Sequence, residues 1–185
     1  MRILATSRNL APQSGPFVMG IGMFDGVHRG HQAILARVRE LARESGVQGL
    51  AYTFDPHPLH ILNPLVAPPL IEPLEARIER FGALGIDAVL IERFDKAYAA
   101  TTAERFIADV LVNKLNVRHV VVGAGFAFGA GQQGSPQTLA KAGVQHAFSA
   151  HVIEPVRAGD VEVSSTRVRE LVRAGDMRAA AELLG

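Results

Sequence analysis

There is no cysteine in this chain of 185 residues. Disulfides, thiolate zinc sites and a cysteine nucleophile are excluded together. There is no charge surplus either, since Lys and Arg total 19 against 18 acidic residues. Such a balance gives no general field for nucleic acid or an anionic membrane, so any anion has to be held by a local site. No run of about 18 apolar residues occurs, and no membrane span is expected. The opening residues, MRILATSRNLAPQSG, lack the long apolar core of a signal peptide. A soluble cytoplasmic protein is the default expectation. Hydrophobic residues make up 48% of the chain, which suits one globular domain with a full core.

The pattern along the chain alternates. Pro16 to Phe24, PFVMGIGMF, is short, apolar and glycine-bounded, and predicts a buried strand. Gln32 to Glu44 predicts a helix, with Ile34, Leu35, Val38, Leu41 and Ala42 on one face and Gly46 as its stop. GLAYTF predicts a second strand. Strand, helix and strand in that order suggest a parallel pair with a right-handed crossover. From Asp55 to Pro73 lie six of the ten prolines, so no regular structure is expected there. LEARIERFGALG predicts a helix presenting Leu74, Ile78, Phe81 and Leu84. DAVLIE is a third strand. Thr101 with Glu104 offers a capping box for a helix carrying Phe106, Val110 and Leu111. VRHVVVG is a fourth strand and AGFAFGAGQQGSP a glycine-rich loop. Ser135 and Pro136 then cap and start a helix. AFSAHVIEPV is a fifth strand. Two short helices close the chain, with Ser165 or Thr166 and Asp176 as their N-caps. This alternation predicts an open, mostly parallel α/β sheet with ligands beyond the carboxyl ends of its strands.

The chemistry-bearing residues fall at those ends. His28, Gly30 and His31 stand at the start of the first helix, where free N–H groups and the helix dipole favour an anion. Gly26 and Gly30 allow close approach to the backbone. Two imidazoles there can donate to phosphate oxygens. Their spacing also suits two metal ligands, but no partner set of carboxylates or cysteines accompanies them, and a capping pair would look the same. Near the end, SSTRVR places hydroxyls and arginines at another helix start, which is either a phosphate clamp or an ordinary capped helix. Arg167 and Arg169 are two apart, so only one of them can face a site. Asp25 and Asp55 can hold their loops by accepting backbone N–H groups.

Four stretches carry a resemblance: GMFDGVHRGH, FDPHP, VVVGAGFAFG and VSSTRVRELVRAGDMRAAAELLG, in this order. Together they resemble the FMN adenylyltransferase module of the bacterial bifunctional riboflavin kinase/FMN adenylyltransferase family. The resemblance runs from about Val18 to Gly185. It implies a Rossmann-like nucleotidyltransferase sheet with helices on both faces. It implies transfer of AMP from ATP, with Mg²⁺, to FMN, giving FAD and pyrophosphate without a covalent enzyme intermediate. His28 and His31 match the histidines that stabilise the transferring phosphate. Ser164, Ser165, Thr166 and Arg169 match the second phosphate motif. Gly22, Met23, Phe24, Asp25, Gly30 and Gly123 fall on the ATP side. Phe54, Asp55, Pro56, His57, Gly125, Phe126 and Phe128 match positions near the flavin, whose flat ring needs apolar walls. Of Phe126 and Phe128, one is expected in the core.

The chain also departs from the family. Gly125 stands where Asn or Asp is usual, and Ala127 where a polar or basic residue is common. Leu62 and Val66 replace an aromatic and an arginine, and Glu162 replaces a basic residue. Each change removes a polar contact or adds repulsion. The sequence ends where the riboflavin kinase module would begin, so residues 1–185 are expected to be one adenylyltransferase domain without that second activity. The competing expectations are a nucleotidyltransferase with another phosphorylated acceptor, and a binding module without catalysis.

Overall fold

Strands that are apolar on both faces need helices on both sides, and the chain supplies them. The computed structural model describes residues 1–185. Its sheet contains β1 (Arg2–Ala5), β2 (Phe17–Ile21), β3 (Gln48–Asp55), β4 (Ala88–Arg93), β5 (Val117–Gly123) and β6 (Ser149–Ile153). The spatial order is β1-β4-β3-β2-β5-β6, and every pairing is parallel. The fold is α/β with a parallel sheet, as the alternation predicts, and Rossmann-like, as the resemblance implies.

β2 is central and all five of its residues are buried. Its period of two sends Phe17, Met19 and Ile21 to one face and Val18 to the other. On the Val18 face lies α1 (Arg29–Ser45), contributing Ile34, Leu35, Val38 and Leu41. Burying each of these aliphatic side chains contributes about 1.5–3 kcal/mol. Gly46 ends α1 at a left-handed φ of 65°. Phe81 of α3 (Leu74–Ala83) joins the same face. The Phe17 face is covered by α6 (Pro136–His146) and by a π-helical segment, Phe106–Lys114, that continues α5 (Ala103–Arg105).

From β2 the chain crosses through α1 to β3 on one side. It later returns to β5 on the other. Strand order therefore reverses at β2, and the loops after β2 and β5 diverge over a crevice. Three further elements close on this end: α7 (Ser165–Arg173), α8 (Met177–Leu184) and a hairpin of β7 (Arg157–Ala158) and β8 (Val161–Glu162).

Several expectations are corrected. The proline-rich stretch is not irregular throughout: it holds α2 (Pro58–Leu62), started by Pro58 and capped by His57, and a 3₁₀ turn at Pro64–Val66. Proline is tolerated in a first turn because no N–H is needed there. The cap before α5 is Thr102, not Thr101, accepting the Arg105 N–H. The cap of α7 is Ser164, not Ser165 or Thr166, because that register turns Val168 into the core. β1 and the β7–β8 hairpin have no counterpart among the expected strands. Between β4 and the π-helical segment lies α4 (Lys96–Ala99). No helix is long and apolar enough to cross a membrane.

Candidate active site

The turn from β2 into α1 is tight. Phe24 and Val27 hold left-handed φ values of 53° and 36°, and Gly26 holds 83°. Non-glycine residues in that region cost about 1–3 kcal/mol each and persist only where their surroundings fix them. Asp25 does the fixing. Its carboxylate is 1% exposed, accepts the N–H groups of Ile71 (3.0 Å) and Glu72 (3.4 Å), and pairs with Arg169 of α7. Its carbonyl accepts the Ser165 hydroxyl at 3.0 Å. One residue thus joins the mouth of α1 to the segment before α3 and to the start of α7.

His28 caps α1, with Nδ1 accepting the His31 N–H at 3.3 Å. Because Nδ1 accepts, a neutral His28 carries its proton on Nε2 as a free donor. The two imidazoles stack at 3.6 Å between centroids and 17° between planes. A Cβ on Gly30 would stand 3.2 Å from the His28 ring, so this position favours glycine for closeness. Burial lowers the His28 pKa from 6.5 to about 4, against a weaker opposing pull from Asp25. Burial also holds His31 well below its usual value, helped by His28 and Arg77. His31 Nδ1 is buried without a partner. Both rings are therefore neutral donors at pH 7.

That depression has a consequence for stability. A histidine whose folded pKa is lowered binds fewer protons folded than unfolded between the two values. Its stability is fully present above about pH 6.5 and is lost as pH falls toward 4. For His28 alone the loss is about 3 kcal/mol. The melting temperature is expected to fall steeply across this window, and less steeply in His28→Ser, as differential scanning calorimetry would record.

Across the crevice lies a cleft of about 450 Å³. Its walls are aromatic and aliphatic: Ile21, Phe54, Pro58, Leu62, Phe94, Tyr98, Phe106, Phe126 and Phe128. Phe126 stacks on Phe128 at 5.6 Å and 15°. Phe54 meets Phe94 edge-on at 5.8 Å. Thr101 and Gln132 are polar groups on the lining. Behind the wall runs a hydrogen-bonded chain. Tyr98 and Tyr52 share a bond at 3.0 Å, and Tyr52 donates to the buried Glu92 at 2.5 Å. Glu92 also accepts the Thr6 hydroxyl and the Ser7 N–H (3.0 Å). Burial pushes both phenols up, so they remain protonated donors.

Two neutral imidazoles at a helix N-terminus, beside a flat apolar cleft, suit a phosphate and an aromatic ring side by side. The sequence model of the FAD synthetase family, described as FAD synthetase, matches residues 11–167. The chain belongs to the FAD synthetase family. A bifunctional riboflavin kinase/FMN adenylyltransferase of Escherichia coli K12 is 38% identical over 187 residues, covering 100% of this chain and 59% of its own. The protein of that description from Pseudomonas fluorescens is also 38% identical, with coverages of 100% and 59%. The one from Listeria monocytogenes is 33% identical over 169 residues, covering 91% of this chain and 53% of its own. The chain thus spans about three fifths of the length of the first curated relatives it matches. A crystal structure described as a macrolide-efflux protein from Streptococcus pneumoniae superposes with a TM-score of 0.85 at 22% identity, covering 100% of this chain and 60% of that one. At that identity it speaks for the fold alone.

The expected resemblance to the FAD synthetases is therefore met, and the structure places the expected residues in two groups. His28, Gly30, His31, Asp25, Ser164, Ser165 and Arg169 meet at the mouth of α1. Gly22 and Met23 follow β2 in the turn toward α1, and Phe24 packs edge-on to His31 at 5.3 Å. Thr166 is exposed, and Gly123 ends β5. Phe54, Phe126 and Phe128 line the cleft, and of the last two Phe128 is buried and Phe126 half-buried. Asp55, Pro56, His57 and Gly125 do not line it. The His57 ring instead accepts the Leu59 N–H as the cap of α2. Asp25 accepts backbone N–H groups as expected. From Asp55 it is the main-chain carbonyl that serves, accepting from Phe94 at 3.1 Å. Arg167 faces outward to Glu170, while Arg169 turns inward. Sequence reasoning missed Phe94, Tyr98, Thr101, Gln132 and the buried Arg77.

Proposed function

We propose that this protein is an FMN adenylyltransferase, joining the AMP portion of ATP to the phosphate of FMN. The observation that carries the proposal is the pairing of a neutral two-imidazole helix mouth with an aromatic cleft at the carboxyl end of the same sheet. The triphosphate lies over the α1 N-terminus, where the first N–H groups have no intrahelical acceptor. A phosphate oxygen of FMN attacks the α-phosphorus in line. The bond to the pyrophosphate oxygen breaks, and FAD and pyrophosphate are the products. His28 donates through Nε2 and His31 through its imidazole N–H to oxygens that gain charge on the way. Ser164, Ser165, Thr166 and Arg169 steady the leaving pyrophosphate. Phe54, Phe126 and Phe128 wall the isoalloxazine ring. Magnesium enters as part of the ATP substrate, since the Asp25 carboxylate is committed to Arg169 and two backbone N–H groups. An ATP-consuming reaction fits a cytoplasmic setting, and residues 1–185 act as one adenylyltransferase unit.

The test is to incubate the protein with ATP, Mg²⁺ and FMN and to follow pyrophosphate and FAD together. Both should appear in equal amounts. Pyrophosphate release only with a different phosphate monoester would replace FMN as acceptor. Tight flavin binding without release would make the protein a binding module.

The exposed Gly125 gives a finer test. A Cβ built there meets nothing within 4 Å, so a side chain is accommodated at little cost. Gly125 does not itself line the cleft but directly precedes Phe126 and Ala127, which do. In Gly125→Asn, a side chain reaching over that rim is expected to lower the KM for FMN roughly fivefold, the worth of one added hydrogen bond of about 1 kcal/mol. Steady-state kinetics at saturating ATP would record it, and an unchanged KM would remove this loop from acceptor recognition.

A further inference from the structure

Arg77 lies on the inner face of α3 with no exposed surface at all. A buried charge is costly unless it is paired, and Arg77 takes part in none of the protein's ion pairs. The neighbouring acids Asp25 and Glu72 are already engaged by Arg169 and Arg80. Asp55, whose charge also reaches it, is exposed and screened by water. Nη1 of Arg77 donates to the Met23 carbonyl (2.9 Å), the Thr53 hydroxyl (3.1 Å) and the Phe54 carbonyl (3.5 Å). It thereby joins the turn after β2, which leads to His28, to the end of β3, which walls the cleft. Nε and Nη2 have no partner.

Joining two carbonyls needs a donor but does not need a charge. The charge is nevertheless kept, in a place where its solvation is lost. It lies close enough to His31 to disfavour protonation of that ring. With both histidines neutral, Arg77 is the buried charge behind the mouth of α1 that makes no ion pair; Asp25 and Glu72 offset its field from a distance while their own ion pairs go to Arg169 and Arg80.

We propose that Arg77 is a positioning residue for polyphosphate: its charge, which no ion pair engages, acts from behind His31 on an anion at the mouth of α1. The inference rests only on the phosphate half of the proposed function. A buried field of fixed position costs no reorganisation when charge arrives, which is what an anion site requires. The same residue holds the loops of the two substrates in register through Nη1.

The test measures binding of inorganic tripolyphosphate to the full chain by titration calorimetry, with melting curves for each variant. Arg77→Gln keeps a donor and removes the charge, and is expected to weaken binding tenfold or more. Arg77→Lys keeps the charge and loses the fork, and is expected to bind within about threefold of the parent. This rescue is what a purely structural role does not provide. Parent-like binding by Arg77→Gln would overturn the proposal, and so would a tenfold loss in Arg77→Lys. Should Arg77→Gln fail to fold, Arg77→Lys decides by itself under the same two limits. The probe contains neither flavin nor adenine. A parent that binds it but makes no FAD loses the acceptor assignment and keeps this one, whereas a parent that does not bind it loses this one.

Discussion

Replacing His28 or His31 by alanine is expected to lower kcat about 10²–10³-fold while KM for ATP changes far less. Donors aimed at oxygens that gain charge act in the transition state, and removing one costs about 2.7–4 kcal/mol in comparable sites. The geometry here favours the upper half of that range. His28 Nε2 is left as a donor by the bond its Nδ1 makes to the His31 N–H. Both rings sit in surroundings dry enough to hold them neutral. His28→Ala also deletes a helix cap, worth about 0.5–2 kcal/mol of stability. His28→Ser separates the two effects, because serine caps as well as histidine does here. It should melt close to the parent and still lose kcat. Turnover within threefold of the parent in both alanine variants, with saturating MgATP and FMN, would take the phosphate role away from this pair.

How much of this was legible in the sequence depends on where each residue's partners come from. α1 was readable because its whole pattern is local: five apolar positions on one face and Gly46 at the stop. The helix mouth was readable for the same reason, since cap, glycine and both imidazoles lie within four residues. The cleft was only half readable. Phe54, Phe126 and Phe128 announce themselves beside glycines and prolines. Phe94 and Tyr98 reach the same cleft because β4 pairs with β3, placing Phe54 beside Glu92, and nothing local signals that. Arg77 was invisible for a different reason. An arginine on an amphipathic helix ordinarily belongs to the solvated face, and only the packed structure puts it inward. In SSTRVR any of three hydroxyls suits a cap, and the choice of Ser164 follows from burying Val168, a tertiary decision. β1 has four residues at a sheet edge, too few for a pattern.

Arg169→Ala is expected to produce the largest loss of stability among single changes at this site, and a loss of ATP use with it. Arg169 is 11% exposed at its side chain and its partner Asp25 1%. Removing one member of a buried pair strands the other charge, at a cost of about 3–5 kcal/mol. In a domain of this size that corresponds to a melting temperature lower by roughly 10 °C. The Pro69 carbonyl, which accepts from Nε at 2.9 Å, loses its donor too. Arg167, two residues away on the same helix, pairs with Glu170 at the surface. Such exposed pairs contribute about 0–1 kcal/mol, so Arg167→Ala should be nearly silent in both melting and turnover. The loss of ATP use in Arg169→Ala has two available causes: a missing phosphate contact, or a collapsed loop around Asp25. The double variant Asp25→Asn with Arg169→Ala distinguishes them. It removes the stranded charge while an amide oxygen still accepts from Ile71 N–H, so most of the stability should return. ATP turnover should not return, because the guanidinium is still missing beside Ser164 and Ser165. Recovery of turnover to within threefold of the parent in that double variant would make Arg169 a loop tie, and the second phosphate motif would then act through its hydroxyls and helix N-terminus alone.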